Sequence, residues 1–155
     1  GQNYAVINFI PFGYDERQYC SPGFNLPVGC LMKTPHGQYS QYHTSADNLD
    51  FVKPEYLADS FSIYISVFDI LENNKKYINQ NPRCEPQLGK RGLYQTTGGQ
   101  KDRKQRELAM LWVLNLSDGS NTLLDISDKS GLTFDLIKDA ADALSEHDLL
   151  KECRA

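Results

Sequence analysis

The hydrophobic positions at the start of the chain predict a buried β-strand. Residues 4–10 read Tyr-Ala-Val-Ile-Asn-Phe-Ile, a nearly continuous apolar run rich in residues that favour strands. Such runs are typical of parallel sheets, whose strands are covered by helices on both faces. A buried strand needs neighbours, and residues 11–53 offer only one further candidate, near residues 28–32. We therefore expect residues 1–74 to be the remnant of an α/β domain that continues upstream.

The pattern changes to a helical period between Pro54 and Asn73. Proline suits the first helical turn, and Glu55 beside it complements the helix dipole. Hydrophobic residues recur at steps of three and four and form one wide stripe: Leu57, Phe61, Ile63, Tyr64, Val67, Phe68, Ile70 and Leu71. We expect a helix that is packed over a large face.

Residues 107–155 predict a second, mostly helical domain. A first helix ends at Ser117-Asp118-Gly119, and a second, over residues 124–129, is followed by Gly131. Thr133 caps a third helix, in which three residues face inward: Ile137, Ala141 and Leu144. The tight turn before the third helix is typical of a helix-turn-helix. A short strand over residues 120–123, paired with a final strand after Leu150, would make the domain a winged helix.

Residues 75–106 differ from both neighbours in composition. They contain nine lysines and arginines against two acids, together with two prolines and four glycines. We interpret them as a basic linker or arm with at most short structure, and residues 96–104 as its most disordered part. The predicted organisation is therefore an α/β remnant (1–74), a basic arm (75–106) and a winged-helix-like domain (107–155).

The charge of the predicted winged helix argues against DNA binding. Residues 107–155 hold ten acidic and four basic residues, and the whole chain has a net charge of −4. Duplex DNA is bound through cations that neutralise phosphates, and an acidic third helix opposes this. We expect a module that packs against a protein partner or a second copy of itself. Nucleic-acid binding through the basic arm is the weaker alternative.

Cysteine usage and hydropathy favour the cytoplasm. None of Cys20, Cys30, Cys84 and Cys153 forms a Cys-x-x-Cys pair, so we expect reduced thiols, with a Cys20–Cys30 disulfide as the less favoured alternative. No apolar run is long enough to span a membrane, and no secretion signal is visible.

Two polar segments are candidates for chemistry. Tyr42-His43-Thr44 is followed by Asp47, whose carboxylate could hold one imidazole nitrogen and leave the other for a metal. The alternative is a hydrogen-bonded structural histidine. Asp15, Glu16 and Arg17 follow the predicted strand, where active sites of α/β sheets gather. They could orient a substrate amine or carboxylate, or form a self-contained ion-pair turn.

These segments carry a family resemblance. Asp-Glu-Arg-Gln-Tyr (15–19), Ser-Pro-Gly-Phe-Asn-Leu-Pro (21–27), Tyr-His-Thr-Ser-Ala-Asp-Asn (42–48) and Glu-Pro-Gln-Leu-Gly-Lys-Arg-Gly-Leu-Tyr (85–94) resemble the C-terminal part of a bacterial zinc aminopeptidase-like family. Members of that family end in a winged helix and are often associated with polysaccharide biosynthesis. The resemblance spans essentially the whole chain.

The resemblance implies a role for each of six residues. The last zinc-binding histidine of the family falls on His43. Asp15 and Asp47 match residues that contact the substrate or support the metal ligand, and Glu16, Arg17 and Tyr42 lie beside them. Many superfamily members have histidine where this chain has Glu16, which argues against a two-zinc mechanism.

The resemblance also implies what the chain lacks. A site of this kind needs an upstream His-x-Asp, further carboxylate ligands and a glutamate general base, and none precedes Tyr4. One histidine cannot hold zinc in a four-ligand site. We therefore expect no catalytic residue in this chain, and a peptide-like or aminoacyl substrate for the parent enzyme. The isolated fragment is expected to be inactive.

Overall fold

The computed structural model describes residues 4–94 and 100–153, without the side chains of residues 100 and 101. The chain divides into two units, Gly1–Pro54 and Glu55–Ala155. The described residues are mostly helical, with one small antiparallel sheet. No helix among them is long and apolar enough to cross a membrane.

The first unit consists mainly of turns and irregular backbone. Its one helix within residues 4–53 is α1 (Asp15–Tyr19), and those residues contain no strand. The predicted buried strand at residues 4–10 is therefore wrong for this chain, since Tyr4 is 89% exposed and Val6 85% exposed. A strand exists only where a neighbouring backbone accepts and donates its hydrogen bonds, and the described part of this unit supplies none.

Helix α2 (Pro54–Asn73) has the bounds that the sequence predicts, but not the predicted burial. None of its residues is buried; Phe61 is 66% exposed and Leu71 67% exposed. Ile70 alone among its stripe residues packs against the core of the second unit. The periodicity correctly identifies the apolar face of the helix, but it carries no information on what covers that face.

The sheet has the order β2–β1–β3, with strands β1 (Lys76–Asn79), β2 (Asp118–Thr122) and β3 (Leu150–Glu152) all antiparallel to their neighbours. Ile78 of β1 stands opposite Asp118 on one side and Lys151 on the other. The predicted direct pairing of the two wing strands is thus wrong. Strand β1 lies between them because its two edges supply hydrogen bonds to both.

The central strand belongs to the segment that composition identifies as a basic arm. Tyr77 of β1 is buried, and so are Leu88, in a 3-10 turn (Leu88–Arg91), and Leu93. The structure thus places residues 75–94 in the sheet and core of the second unit. Of the stretch expected to be disordered, residues 96–99 lie outside the described residues. From Gln100 the chain is helical.

Three helices complete the winged helix: α3 (Gln100–Leu116), α4 (Leu123–Ser130) and α5 (Phe134–Glu146). Helix α4 starts with a capping box, in which the Thr122 hydroxyl accepts from the Asp125 amide and the Asp125 carboxylate accepts from the Thr122 amide. Gly131 follows it at φ 69°, a left-handed conformation that glycine adopts without strain. These signals fix a tight turn between α4 and α5.

The core of the winged helix lies between these helices and the sheet. Ile137, Ala141 and Leu144 of α5 are each 0% exposed, which confirms the face that the sequence predicts to point inward. Val113 of α3 and Ile126 of α4 pack in the same cluster. The described cysteines are free thiols, and the Cys20 thiol donates to the Leu26 carbonyl at 3.2 Å.

Candidate functional site

A chain of aromatic rings joins the two candidate segments of the first unit. The rings of Tyr14 and His36 meet edge to face at 6.2 Å, and His36 lies 5.7 Å from Tyr42. Tyr42 stacks on His43 at 4.1 Å, with 19° between the ring planes. Tyr14 directly precedes Asp15, so these contacts bring the acidic loop and the histidine turn together.

A hydrogen bond between the side chains of Tyr14 and Tyr42 reinforces this contact. That bond holds the proton on Tyr42 and is the main reason that the pKa of Tyr42 is raised above the ordinary tyrosine value. Partial burial acts in the same direction. The two hydroxyls therefore favour the neutral form of Tyr42 beside the histidine.

Tyr39 extends the ring chain toward the end of the unit. Its ring lies 5.5 Å from Tyr42 and stacks on Phe51 at 5.7 Å. Sequence reasoning missed the contacts of Tyr14, His36 and Tyr39. The available signal was the unusual number of aromatic residues in a segment rich in glycine and proline.

His43 lies in a turn that the following residues stabilise. Its backbone has φ 57°, a left-handed conformation that is uncommon outside glycine and is found often at binding sites. Thr44 donates its hydroxyl to the Gln41 carbonyl at 2.9 Å and accepts from the Ala46 amide at 3.2 Å. The imidazole is exposed, with one face covered by Tyr42.

Asp47 helps to close the same turn through its backbone. Its amide donates to the Thr44 carbonyl at 3.1 Å, and its side chain is exposed. Within residues 4–94 and 100–153, no hydrogen bond joins the Asp47 carboxylate to His43. The ring of Tyr42 stacks on the imidazole instead.

The acidic segment forms the short helix α1. The Glu16 carboxylate bends back and accepts from the Tyr14 amide at 3.3 Å. Gly13, at φ 120°, lies against this carboxylate, and a Cβ at that position would overlap Glu16 Oε1. The glycine thus lets Glu16 cover the start of α1, while Asp15 and Arg17 remain exposed.

The donor groups of the described residues do not amount to a metal site. Among the described residues, no group of three histidine, cysteine, aspartate or glutamate side chains is close enough to hold a metal ion. Zinc needs three protein ligands even where a water completes its coordination. His43 can therefore contribute one ligand to such a site but cannot form it.

The surface of the winged helix is divided by charge. Helix α5 carries four exposed carboxylates at helical spacing, from Asp135, Asp139, Asp142 and Glu146. Lys138 pairs with Asp142 at 3.1 Å, and across the sheet Lys75 pairs with Glu152 at 2.9 Å. Both lysine pKa values are raised, mainly by these hydrogen bonds. Exposed pairs of this kind add little stability.

Comparisons with known proteins divide the chain after residue 74. Residues 1–74 match a family described as a domain of unknown function (DUF4910), and residues 75–152 match a family described as a winged helix-turn-helix.

Two proteins from Clostridium acetobutylicum are similar to this chain in sequence. One, described as a candidate polysaccharide biosynthesis protein with an aminopeptidase-like domain, is 56% identical over 151 residues, which are 97% of this chain and 35% of the relative. The crystal structure of a candidate peptidase at 2.37 Å resolution matches with a TM-score of 0.85 and 52% identity, over 99% of this chain and 33% of the other.

These matches confirm the family resemblance found in the sequence motifs. The chain spans about a third of the length of the relatives that it matches. It belongs to the winged helix-turn-helix family over residues 75–152, and as a whole it corresponds to the C-terminal third of an aminopeptidase-like protein.

Proposed function

We propose that residues 1–74 supply the last part of the active site of a metal-dependent aminopeptidase-like hydrolase, with zinc as its metal and His43 as one ligand. The observation that carries the proposal is the contact of the His36 ring with both Tyr14 and Tyr42, which brings the acidic helix α1 beside the histidine turn. Two segments separated by more than 20 residues in sequence thus face one place. The similarity to an aminopeptidase-like protein supports the same reading.

The residues around His43 have distinct roles in this proposal. Tyr42 fixes the plane of the imidazole by stacking, and Asp47 helps to hold the turn. Asp15, Glu16 and Arg17 offer charges of both signs to a peptide-like or aminoacyl substrate, since Asp15 and Arg17 are exposed. The remaining ligands and the general base would come from the upstream two thirds of the parent protein.

The exposed hydrophobic surface supports an upstream partner. Ile7 and Phe9 of the first unit are 64% and 59% exposed, and Leu57 and Phe68 of α2 are 61% and 56% exposed. Soluble proteins rarely leave so many large apolar side chains in water. We propose that the rest of an α/β domain covers both elements, and that residues 4–10 become a strand of its sheet.

A chimera tests the metal role of His43 directly. The upstream two thirds of the clostridial relative would be joined to this chain, a choice that 56% identity makes reasonable. We expect the purified chimera to retain zinc, the His43→Ala variant to lose at least one site, and hydrolysis of aminoacyl anilides to fall with the metal. Zinc content, measured by atomic emission, is the primary result because it does not depend on guessing the substrate.

Two controls make the outcome specific. His147→Ala removes another histidine, at the end of α5 in the winged helix, and should leave the zinc content unchanged. The isolated chain should hold no zinc and show no activity. Unchanged zinc content in His43→Ala, or chelator-sensitive peptidase activity in the isolated chain, would contradict the proposal.

A second candidate function is protein interaction through the winged helix, either with a partner or with a second copy. The four exposed carboxylates of α5 favour it, because the helix that enters the DNA groove in related folds is here acidic. Sedimentation equilibrium at low and high salt tests self-association. A monomer at every concentration, with no partner recovered in a pull-down, would remove this candidate.

Nucleic-acid binding is the weakest candidate. The basic residues of segment 75–106 include Lys75 and Arg103, and both are engaged in ion pairs with glutamates. If the remaining cations bound nucleic acid, affinity would fall steeply with added salt. We expect no binding of duplex DNA even at low salt, as measured by fluorescence anisotropy.

A further inference from the structure

A small apolar pocket opens on the surface of the winged helix, between α3, α5 and the turn that follows the 3-10 helix. Its volume is about 180 Å³. Five hydrophobic side chains form most of its lining: Leu93, Met110, Leu136, Ala140 and Ala143. The pocket lies entirely within the winged helix, far along the chain from His43.

The size of the pocket restricts what it can hold. At about 180 Å³ it is smaller than the ~300–1,000 Å³ of sites for cofactors and drug-sized ligands. An apolar cavity of about 150 Å³ is known to hold a molecule the size of benzene. The pocket therefore has room for one large apolar side chain, such as that of leucine, methionine or phenylalanine.

Two residues of opposite charge are among those that line the pocket. Arg106 of α3 and Asp139 of α5 both line it, and both residues are exposed. Within the part of the chain that the structure describes, neither side chain forms a hydrogen bond or an ion pair, although Arg103 pairs with Glu107 and Lys138 with Asp142. The two charged groups at the pocket are therefore available to a ligand.

We propose that this pocket binds a free α-amino acid with a large apolar side chain. The side chain fills the apolar interior, the carboxylate receives the guanidinium of Arg106, and the ammonium group meets Asp139. An arginine suits this role because its planar donors match a carboxylate in pairs. A zwitterion satisfies both charges, whereas a residue inside a peptide offers neither.

The proposal is independent of the peptidase assignment, since it uses no residue of the first unit. An aminopeptidase releases a free amino acid, so the proposed ligand of the winged helix would be the same kind of molecule as the product of such an enzyme. A negative result in the zinc experiment would therefore not contradict amino-acid binding at the pocket. A negative result for amino-acid binding would not contradict the proposed role of His43.

The test is a titration of the full 155-residue chain, labelled with ¹⁵N and followed by NMR. L-Leucine should shift the amide signals of Leu93, Met110, Ala140 and Ala143, with affinity in the millimolar range that a shallow site allows. Glycine, which lacks a side chain, should cause no shifts. Leucinamide lacks the carboxylate and 4-methylpentanoate lacks the ammonium group, so each should bind several-fold more weakly.

Variants separate the two charges from the apolar interior. Arg106→Gln and Asp139→Asn should each weaken leucine binding by about threefold to fivefold, since an exposed charge pair contributes modestly. Lys104→Gln and Asp135→Asn remove like charges from the same helices outside the pocket and serve as matched controls. Ala143→Leu should fill the pocket and abolish binding, and its circular dichroism spectrum would verify that the winged helix remains folded.

Three results would overturn the proposal. The first is the absence of any shift with leucine up to its solubility limit. The second is equal affinity for leucine, leucinamide and 4-methylpentanoate, which would show an apolar crevice that ignores both charges. The third is tighter binding of a leucine peptide with blocked ends, which would assign the pocket to the side chain of a protein partner.

Discussion

Residues 4–54 and the winged helix contain similar proportions of large hydrophobic side chains, but these side chains are exposed in the first region and buried in the second. In the first unit Val6 is 85% exposed and Phe24 70% exposed, whereas in the winged helix Val113 and Ile137 are 0% exposed. The first unit is held by ring contacts and turns around Tyr42, and the second by a cluster of buried hydrophobic residues, sixteen of them among the described part of the chain. Hydrophobic sequence thus produces a core only where the same chain supplies the surfaces that cover it.

The difference has a simple cause in backbone hydrogen bonding and burial. Strand β1 finds a partner on each edge, and Tyr77 is covered by the helices of the same unit. The apolar run at residues 4–10 finds no partner strand in the described residues. The exposed run and the face of α2 identify the surfaces where we propose that the upstream domain packs.

Supplying the upstream domain is expected to have the largest effect on the difference in burial between residues 4–10 and the winged helix. In the chimera with the upstream two thirds of the clostridial relative, we expect amide hydrogen exchange at residues 4–10 to slow by about a thousandfold or more. Exposed segments have almost no protection, whereas core strands approach the global stability of ~5–15 kcal/mol. Mass spectrometry of peptides from the chimera and from the isolated chain gives the comparison. Equal exchange in both would contradict a buried strand.

Core substitutions should sharpen the contrast within the isolated chain. Ile137→Ala removes a fully buried side chain of α5 and should lower the free energy of unfolding by about 2–5 kcal/mol. The matched change Leu57→Ala, on the exposed face of α2, should alter it by less than about 0.5 kcal/mol. Urea titration followed by circular dichroism measures both. Equal losses would mean that α2 is packed in solution.

Turn-stabilising threonines provide a smaller contrast. Thr122→Ala removes the cap of α4 and should cost about 1 kcal/mol of global stability. Thr44→Ala removes a comparable pair of hydroxyl bonds near His43, in a unit without a core among its described residues. We expect its melting curve to match that of the unchanged protein. A comparable loss for Thr44→Ala would show that the two units unfold together.

Acid should affect the winged helix through Asp125. The amide of Thr122, and then its hydroxyl, hydrogen-bond the carboxylate and lower the pKa of Asp125 in the folded state. The resulting stability is present above the unfolded aspartate pKa of about 3.9 and is lost as pH falls through the lower folded value. Asp125→Asn should therefore show a shallower loss of stability below about pH 4. Urea midpoints across this range test it, with Asp128→Asn as control.

Alkali should affect the first unit through Tyr42, and this is the smallest expected effect. The hydrogen bond with Tyr14 raises the pKa of Tyr42, so its contribution is complete below the ordinary tyrosine pKa of about 10 and is lost as pH rises through the folded value. Tyr14→Phe should return the pKa of Tyr42 toward the ordinary value. NMR titration of ¹³C-labelled tyrosine rings would resolve the change, and Tyr4→Phe is the control.

Local signals in the sequence predicted most of the winged helix. Gly131 marks the C-terminal end of α4 and Thr133 marks the start of α5, because a left-handed residue and a hydroxyl cap act within one helical turn. The central strand was not predicted, because Lys75 and Lys76 made the segment look like a basic arm. Only the pairing of β1 with two strands distant in sequence gives those residues their place.

For the candidate site, the sequence motifs identified the two segments. The contacts between those segments could be seen only in the three-dimensional structure. The Tyr-His-Thr spacing drew attention to His43, but nothing local shows that Tyr14 and His36 reach Tyr42. The contacts of Tyr14 with His36 and Tyr42 join residues more than 20 positions apart and depend on the path of the loop between them. The spacing of four residues between His43 and Asp47 likewise does not show whether the carboxylate reaches the imidazole.

By itself, the sequence determined the bounds of α2, the turn between α4 and α5, the inward face of α5 and the family to which the chain is similar. These features depend on helical periodicity, caps and motif residues that act over a few positions. The tertiary structure alone decided which apolar surfaces are covered, where β1 lies and which rings meet at His43. Burial and strand pairing depend on partners elsewhere in the chain, and no local pattern specifies whether those partners are present.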